Sequence, residues 1–126
     1  MPVRAFEDLL DRLRQAAPDI PDHPTEDDLT PWRERIDALD RAILQMLNQR
    51  AICANTIGRI KRKLGMPVYV PRREEEVLEN VTNANAGPLA NEAVKRLFER
   101  IIDETRSLER HLYERESGSD DEPTQG

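Results

Sequence analysis

Two basic residues, Arg50 and Lys61, interrupt a stripe of apolar side chains in a proline-free stretch of the chain. Between Pro31 and Leu64 the apolar residues recur three or four positions apart, which is typical of one face of an α-helix. At 100° per residue, Arg50 and Lys61 lie about 20° apart around the helix axis and about 16 Å apart along it. The spacing therefore places both cations on the face that is predicted to pack inward.

A cation on a packed helix face has two interpretations. Burying a lone positive charge costs several kcal/mol unless the charge is paired. Acids on neighbouring helices could neutralise Arg50 and Lys61, or the two side chains could reach water at the edge of the stripe. Alternatively, the cations are kept for an anionic ligand, because an arginine can bind a carboxylate through two hydrogen bonds. The spacing alone leaves both interpretations open.

Other residues could contribute to the same chemistry. Thr105 and Glu109 are one turn apart on the apolar stripe of the last predicted helix. Arg33 lies roughly 100° from Arg50 around the first helix, so it cannot easily serve the same pocket from the same chain. It could do so from a dimer partner. Gly58 indicates either close approach of a backbone or ligand, or a tolerated surface glycine.

Amphipathic segments separated by prolines and glycines must position these residues, so the predicted fold class is all-α. The predicted core is a three-helix chain whose first helix is too long for a monomer of this size to cover at both ends. The predicted helices span residues 3–16, 31–64, 72–83 and 88–113. The domains are then an N-terminal extension with an amphipathic helix and an acidic linker (1–29), a helical domain (30–113) and a disordered acidic tail (114–126).

Composition narrows the possible functions. The net charge of -6 divides into -5 over residues 1–30, +3 over 31–113 and -4 over 114–126. A charge of +3 is too weak to favour nucleic acid, but it is compatible with a small anionic ligand. One cysteine and two histidines argue against a metal site. With no membrane-spanning stretch and no signal peptide, we expect a cytoplasmic protein, and its low aromatic content favours an oligomer.

A series of short motifs follows one another through most of the chain. They are Leu29–Asp40, Leu47–Arg50, Ile57–Lys61, Pro67–Tyr69, Arg73–Leu78, Asn85–Leu89 and Leu97–Arg106. As an ordered set, covering about residues 30–112, these motifs resemble the all-helical chorismate mutases. The resemblance does not extend to residues 1–29 or to the tail.

The resemblance implies an intertwined homodimer that rearranges the dicarboxylate chorismate to prephenate, on the route to phenylalanine and tyrosine, without a cofactor. Arg50 and the second subunit's Arg33 would hold the carboxylates, and Lys61 would reach a carboxylate and the ether oxygen. Glu74 would accept the ring hydroxyl, and Arg73 would support the pocket wall. The residues implied to bind substrate are Arg33, Arg50, Lys61, Glu74, Thr105 and Glu109, with Arg50, Lys61 and Glu109 as the catalytic ones.

This reaction matches the chemistry of the residues, because a flexible arm must be held over a ring and the ether oxygen gains negative charge. Glu109 stands where some family members carry glutamine. If protonated it would donate to that oxygen, and if ionised it would repel it. Burial raises a carboxyl pKa and nearby Lys61 lowers it, so the sequence does not determine the direction in which the pKa of Glu109 shifts. Our hypothesis is that activity falls as pH rises through neutrality. Val70 replaces a usual aspartate, so that side-chain contact is lost.

Two other functions stay open at the level of sequence. An isochorismate-pyruvate lyase on the same scaffold would use the same cations. A non-catalytic, dimeric regulatory module of an aromatic-pathway enzyme could dock through the N-terminal extension. The match at Arg73-Glu74 and along the last helix favours the mutase over the lyase. A coiled-coil nucleic-acid binder is disfavoured, since the bases are interleaved with acids.

Overall fold

The structure is a computed structural model that describes residues 7, 8, 10, 11, 13, 14 and 20–121, with side chains as far as Arg115. A short 3₁₀ turn, Glu26–Leu29, precedes the α-helices α1 (Thr30–Leu64), α2 (Pro71–Ala84) and α3 (Asn91–Asp121). The predicted all-α fold with a long first helix in a three-helix chain is confirmed for this part of the protein. The predicted helix over residues 3–16 lies largely outside the described residues.

The end of α1 is set by a glycine in the left-handed conformation. Gly65 has φ +71°, a value that residues with a Cβ adopt only with strain. The Gly65 N–H donates to the Arg62 carbonyl at 3.2 Å, and the Met66 N–H donates to the Lys61 carbonyl at 2.8 Å. The last turn is basic, and cations there face the negative end of the helix dipole. The predicted end of this helix at Leu64 is therefore confirmed.

Proline chemistry sets the start of α2. Val70 is extended, with φ -130° and ψ 100°, and Pro71 takes the first helical position, where no N–H is required. The Arg73 N–H donates to the Val70 carbonyl at 3.0 Å. Helix α2 therefore begins one residue before the predicted range 72–83. It also ends one residue after that range.

The turn before α3 differs from the prediction that this helix begins at Pro88. The side chain of Asn85 donates to the Leu89 carbonyl and to Oδ1 of Asn91, both at 2.8 Å, and accepts from the Gly87 N–H at 3.0 Å. These bonds keep residues 85–90 in a turn, so the helix begins at Asn91.

The C-terminal end of α3 also differs from the prediction. The residues from Glu114 onward were expected to form a disordered tail, yet α3 continues to Asp121. The expectation rested on the run from Ser117 to Pro123, but the glycine in it costs a helix only about 1 kcal/mol relative to alanine. Pro123 is the first residue in this segment that cannot continue a helix. Residues 122–126 lie outside the described part.

The chain divides into two compact units, residues 1–39 and 40–126. In the second unit α2 packs against α3, and Val94 is buried, with 8% of its surface exposed. In the first unit, the Arg35 guanidinium lies 4.8 Å from the centre of the Trp32 ring. Large apolar side chains of α1 remain exposed, with Leu44 at 59%. None of the helices described is long and apolar enough to cross a membrane.

Candidate functional site

A cavity of about 530 Å³ opens in the second unit, between the C-terminal half of α1, the loop that follows it, α2 and α3. Helix α1 supplies its wall at intervals of three or four residues, beginning at Arg50 and ending at Lys61. The lining residues are Arg50, Cys53, Ala54, Ile57, Gly58 and Lys61 from α1, Val68, Tyr69, Val70, Arg73, Glu74 and Val77 from the loop and α2, and Ile102, Thr105, Arg106 and Glu109 from α3. The cavity thus combines an apolar wall with cations, carboxylates and a hydroxyl.

Arg50 and Lys61 both line this cavity and both are half-buried. Within residues 20–115, neither has a carboxylate within ion-pair distance. The Arg50 guanidinium instead donates to the hydroxyl oxygen of Thr105 at 3.3 Å. The spacing left open whether the chain's own acids neutralise these cations, and the described residues do not show such neutralisation. The cations remain available to a ligand.

Thr105 connects Arg50 to the backbone of α3. Its hydroxyl donates to the Ile101 carbonyl at 2.8 Å while its oxygen accepts from Arg50. A hydroxyl has a single proton to donate, so the donor capacity of Thr105 is already used. In this arrangement Thr105 orients the guanidinium of Arg50.

The cavity contains two carboxylates in different surroundings. Glu74 forms an ion pair with Arg106, Oε1 to Nη2, across the packed pair α2 and α3. For Glu109, burial raises the pKa above its usual value, and it outweighs the opposing effects of Arg62, Arg106, Lys61 and Arg50. The raised pKa extends to higher pH the range in which Glu109 is protonated and can donate a hydrogen bond.

Three other residues that the sequence analysis named are placed differently from Arg50 and Lys61. Val70 lines the cavity with an apolar side chain where the family pattern has an acid. Arg73 lines it too, but its guanidinium is mostly exposed and pairs with Glu76, one turn further along α2, at 3.3 Å. Arg33 is exposed and belongs to the first unit, outside the cavity lining.

The sequence reasoning did not single out Arg106 or Arg62. Arg106 follows Thr105 and lies three residues before Glu109, so helical spacing already places it near that face. Arg62 stacks on the Tyr113 ring, with its guanidinium carbon 4.7 Å from the ring centre. That contact joins two helices, and no spacing within one helix could have revealed it.

Comparison with known proteins gives one family. The sequence matches the family described as chorismate mutase type II over residues 32–110. It is 42% identical over 92 residues to a bifunctional chorismate mutase/prephenate dehydratase of Pseudomonas aeruginosa, covering 69% of this chain and 25% of that protein. It is 25% identical over 83 residues to a chorismate mutase of Methanocaldococcus jannaschii, covering 65% of this chain and 84% of that one.

A solved structure gives the same result for the fold. The chorismate mutase of Thermus thermophilus (form II) aligns with a TM-score of 0.63 at 36% identity, covering 65% of this chain and 93% of that one. The chain spans about a quarter of the length of the first bifunctional relatives that it matches. The family match covers well over half of the residues, and the chain belongs to the chorismate mutase type II family.

Proposed function

We propose that this chain catalyses the rearrangement of chorismate to prephenate. The observation that carries the proposal is that Arg50 and Lys61 line a cavity of about 530 Å³ and that neither is paired with an acid among residues 20–115. A dicarboxylate would supply the missing negative charge. Family membership then selects chorismate among dicarboxylates.

Positive charge would hold the two carboxylates in this proposal. The guanidinium of Arg50 is already oriented by Thr105, so it can form charge-assisted hydrogen bonds without first losing side-chain freedom. Arg33 would supply a second cation from the other subunit of a dimer. Fixing both carboxylates holds the flexible arm over the ring, which is catalysis by positioning.

Lys61 and Glu109 would act on the ether oxygen. In this reaction the ether C–O bond breaks while a new C–C bond forms within the same molecule, so no group leaves and no redox partner is required. The oxygen gains negative charge as its bond breaks, and donors that are already in place stabilise it. Lys61 carries such donors as an ammonium group. Glu109 carries one when protonated, and its raised pKa extends that form to higher pH.

Glu74 would complete the site by accepting the ring hydroxyl of the substrate. It lines the cavity on the α2 side and is half-buried. A carboxylate can accept at both oxygens, and the closest contact of the ion pair with Arg106 is made by Oε1. Oε2 is thus the atom that we assign to the hydroxyl.

We also propose that the active form is a homodimer. Burial within the described chain is slight, and α1 leaves large apolar side chains such as Ile43, Ile60 and Leu64 at 49%, 52% and 67% exposure. Monomeric proteins seldom expose contiguous apolar surface on this scale, and a second copy would cover it. The cytoplasmic location expected from the sequence stays a prediction.

The proposed activity is tested by following the loss of chorismate absorbance with purified protein. We expect turnover by the unsubstituted chain and a fall of about 100-fold or more in kcat/KM for Arg50→Ala, because a bidentate charged contact is lost. Arg59→Ala is the matched control, since Arg59 is exposed and nine residues on, about 180° around α1. No loss of chorismate, or pyruvate release from isochorismate in its place, would overturn the assignment.

Mixing two inactive variants tests the role of Arg33. Chains with Arg33→Ala and chains with Arg50→Ala are each expected to be inactive. After random exchange into dimers, about a quarter of the sites would combine an intact Arg50 with the other subunit's intact Arg33. Recovery of activity near that level supports a site shared between subunits. No recovery, with exchange verified by mass, contradicts it.

A further inference from the structure

Arg106 pairs with the Glu74 carboxylate and is near enough to Glu109 to oppose the rise in its pKa, but it has no role in the proposed reaction. Its guanidinium pairs with Glu74 of α2, and the two side chains are only 38% and 30% exposed. The guanidinium carbon also lies 4.5 Å from the centre of the Tyr69 ring, in the loop between α1 and α2. Arg106 also lines the cavity itself.

These two contacts restrict the planar guanidinium. An arginine stacked on an aromatic face keeps its donors in the plane of the group and directs them outward at the edge. Here the edge meets Oε1 of Glu74. A glutamate side chain otherwise has several rotatable bonds, and fixing its carboxylate beforehand reduces the entropy lost when a ligand binds.

We infer that Arg106 is a positioning residue that holds the Glu74 carboxylate in place for the hydroxyl of the substrate. This rests on the proposed function, because that function supplies the hydroxyl. The Tyr69 ring backs the guanidinium, so the loop, α2 and α3 meet at one side chain. Arg106 does not touch the reacting atoms; it acts through Glu74.

Another ion pair on the same helix shows why position matters. Arg100 and Glu104 pair at 2.7 Å within α3, but their side chains are 77% and 62% exposed. Exposed pairs of that kind contribute little, since water and salt screen them. The Arg106 pair joins two helices at the cavity wall, and Arg100→Gln is therefore a matched control for Arg106→Gln.

The kinetic test is a double-mutant cycle. A hydroxyl contact made equally in the ground and transition states affects KM and leaves kcat nearly unchanged. We expect Arg106→Gln to raise KM about tenfold, the effect of roughly one charged hydrogen bond, and Arg106→Lys to recover part of the loss. With Glu74→Gln already present, Arg106→Gln should add almost nothing. Arg100→Gln should leave KM within about twofold of the parent.

The outcomes separate this inference from the proposed function. If the unsubstituted chain does not consume chorismate, the proposed function fails. If it does, but Arg106→Gln leaves KM unchanged, or its effect multiplies fully with that of Glu74→Gln, then Arg106 does not act through Glu74 and the inference is overturned. An effect on folding alone would appear in circular dichroism and in kcat, and would not be removed by Glu74→Gln.

A measurement without substrate tests the placement of Arg106. Carbon-13 NMR can follow the titration of the Glu109 carboxyl. The cations that lower its pKa are Arg62, Lys61 and Arg50 from α1 and Arg106 from its own helix, and Glu74 and Arg73 of α2 line the same cavity. Loss of the Arg106 cation should raise the pKa of Glu109 further, and Arg100→Gln should not. An unchanged titration in Arg106→Gln would show that Arg106 is not at the cavity, whatever the turnover.

Discussion

Replacing Gly58 with alanine should make the protein more stable. Gly58 is buried in α1 and lines the cavity. A Cβ built there would lie 3.7 Å from Nη1 of Arg62, 3.7 Å from Cγ1 of Val68 and 3.9 Å from Cδ of Glu109. All three distances are ordinary van der Waals contacts, so the methyl group fits without displacing a neighbour.

The size of the expected stability gain follows from helix propensity. Glycine in a helix interior is less favourable than alanine by about 1 kcal/mol, and the fit of the Cβ leaves that gain nearly intact. We expect the free energy of unfolding of Gly58→Ala to rise by about 0.5–1 kcal/mol and Tm by about 4 °C. The methyl group would also exclude water from the Glu109 carboxyl, and so raise its pKa further.

Gly65→Ala is the matched control, because the two glycines are opposite cases. Gly65 has no atom within 4 Å of a built Cβ, but its φ of +71° strains any residue that has one. Alanine there should cost about 1 kcal/mol or more. Urea unfolding of both variants at one fixed protein concentration measures the difference. A loss of stability in Gly58→Ala would refute the reasoning, since it would mean that another backbone occupies this space in the assembled protein.

Three further predictions concern single side chains. Activity should fall as pH rises through the raised pKa of Glu109, because ionisation removes a donor and adds repulsion, and Glu109→Gln should flatten this pH–rate profile. Thr105→Val should lower kcat/KM about fivefold, since Arg50 loses its acceptor at 3.3 Å, whereas Thr105→Ser should retain activity within about twofold. Asn85→Ala should reduce the free energy of unfolding by about 1–2 kcal/mol, because the turn before α3 loses its three side-chain hydrogen bonds.

Each of these predictions has an outcome that contradicts it. A pH–rate profile that is the same for Glu109→Gln and the parent would show that Glu109 does not titrate in the reaction. Equal activity of Thr105→Val and Thr105→Ser would show that the hydroxyl does not orient Arg50. Asn80→Ala is the control for the turn, since Asn80 is exposed on α2, and equal stability of Asn80→Ala and Asn85→Ala would refute the account of that turn.

Helical spacing explains what the sequence could predict about the site. Arg50 and Lys61 were expected on one face because eleven residues complete just over three turns, and both line the cavity. Thr105 and Glu109 follow from the same rule on α3. Periodicity also predicted where α1 ends, because Gly65 follows the last apolar position and adopts the left-handed conformation.

Contacts between elements could not be predicted in this way. The pairing of Arg106 with Glu74 depends on how α2 packs against α3, and the pattern within either helix contains no information on it. Helix α3 begins after Pro88, since the side-chain hydrogen bonds of Asn85 extend the turn. The preference of proline for the first helical position does not reveal this competing effect. The placement of Arg33 depends on a second chain, and it remains a prediction.

Under the proposed dimer, the exposed apolar side chains of α1 make protein concentration a thermodynamic variable for this protein. If a second copy must cover residues such as Leu44 and Ile60, then folding and association form one coupled equilibrium, and dilution shifts it toward unfolded monomers. Specific activity would then decline as the protein is diluted in the cuvette, and the midpoint of thermal unfolding would rise with the logarithm of total chain concentration. The expression level would thus set the fraction of chains that are folded and associated, as well as the number of chains.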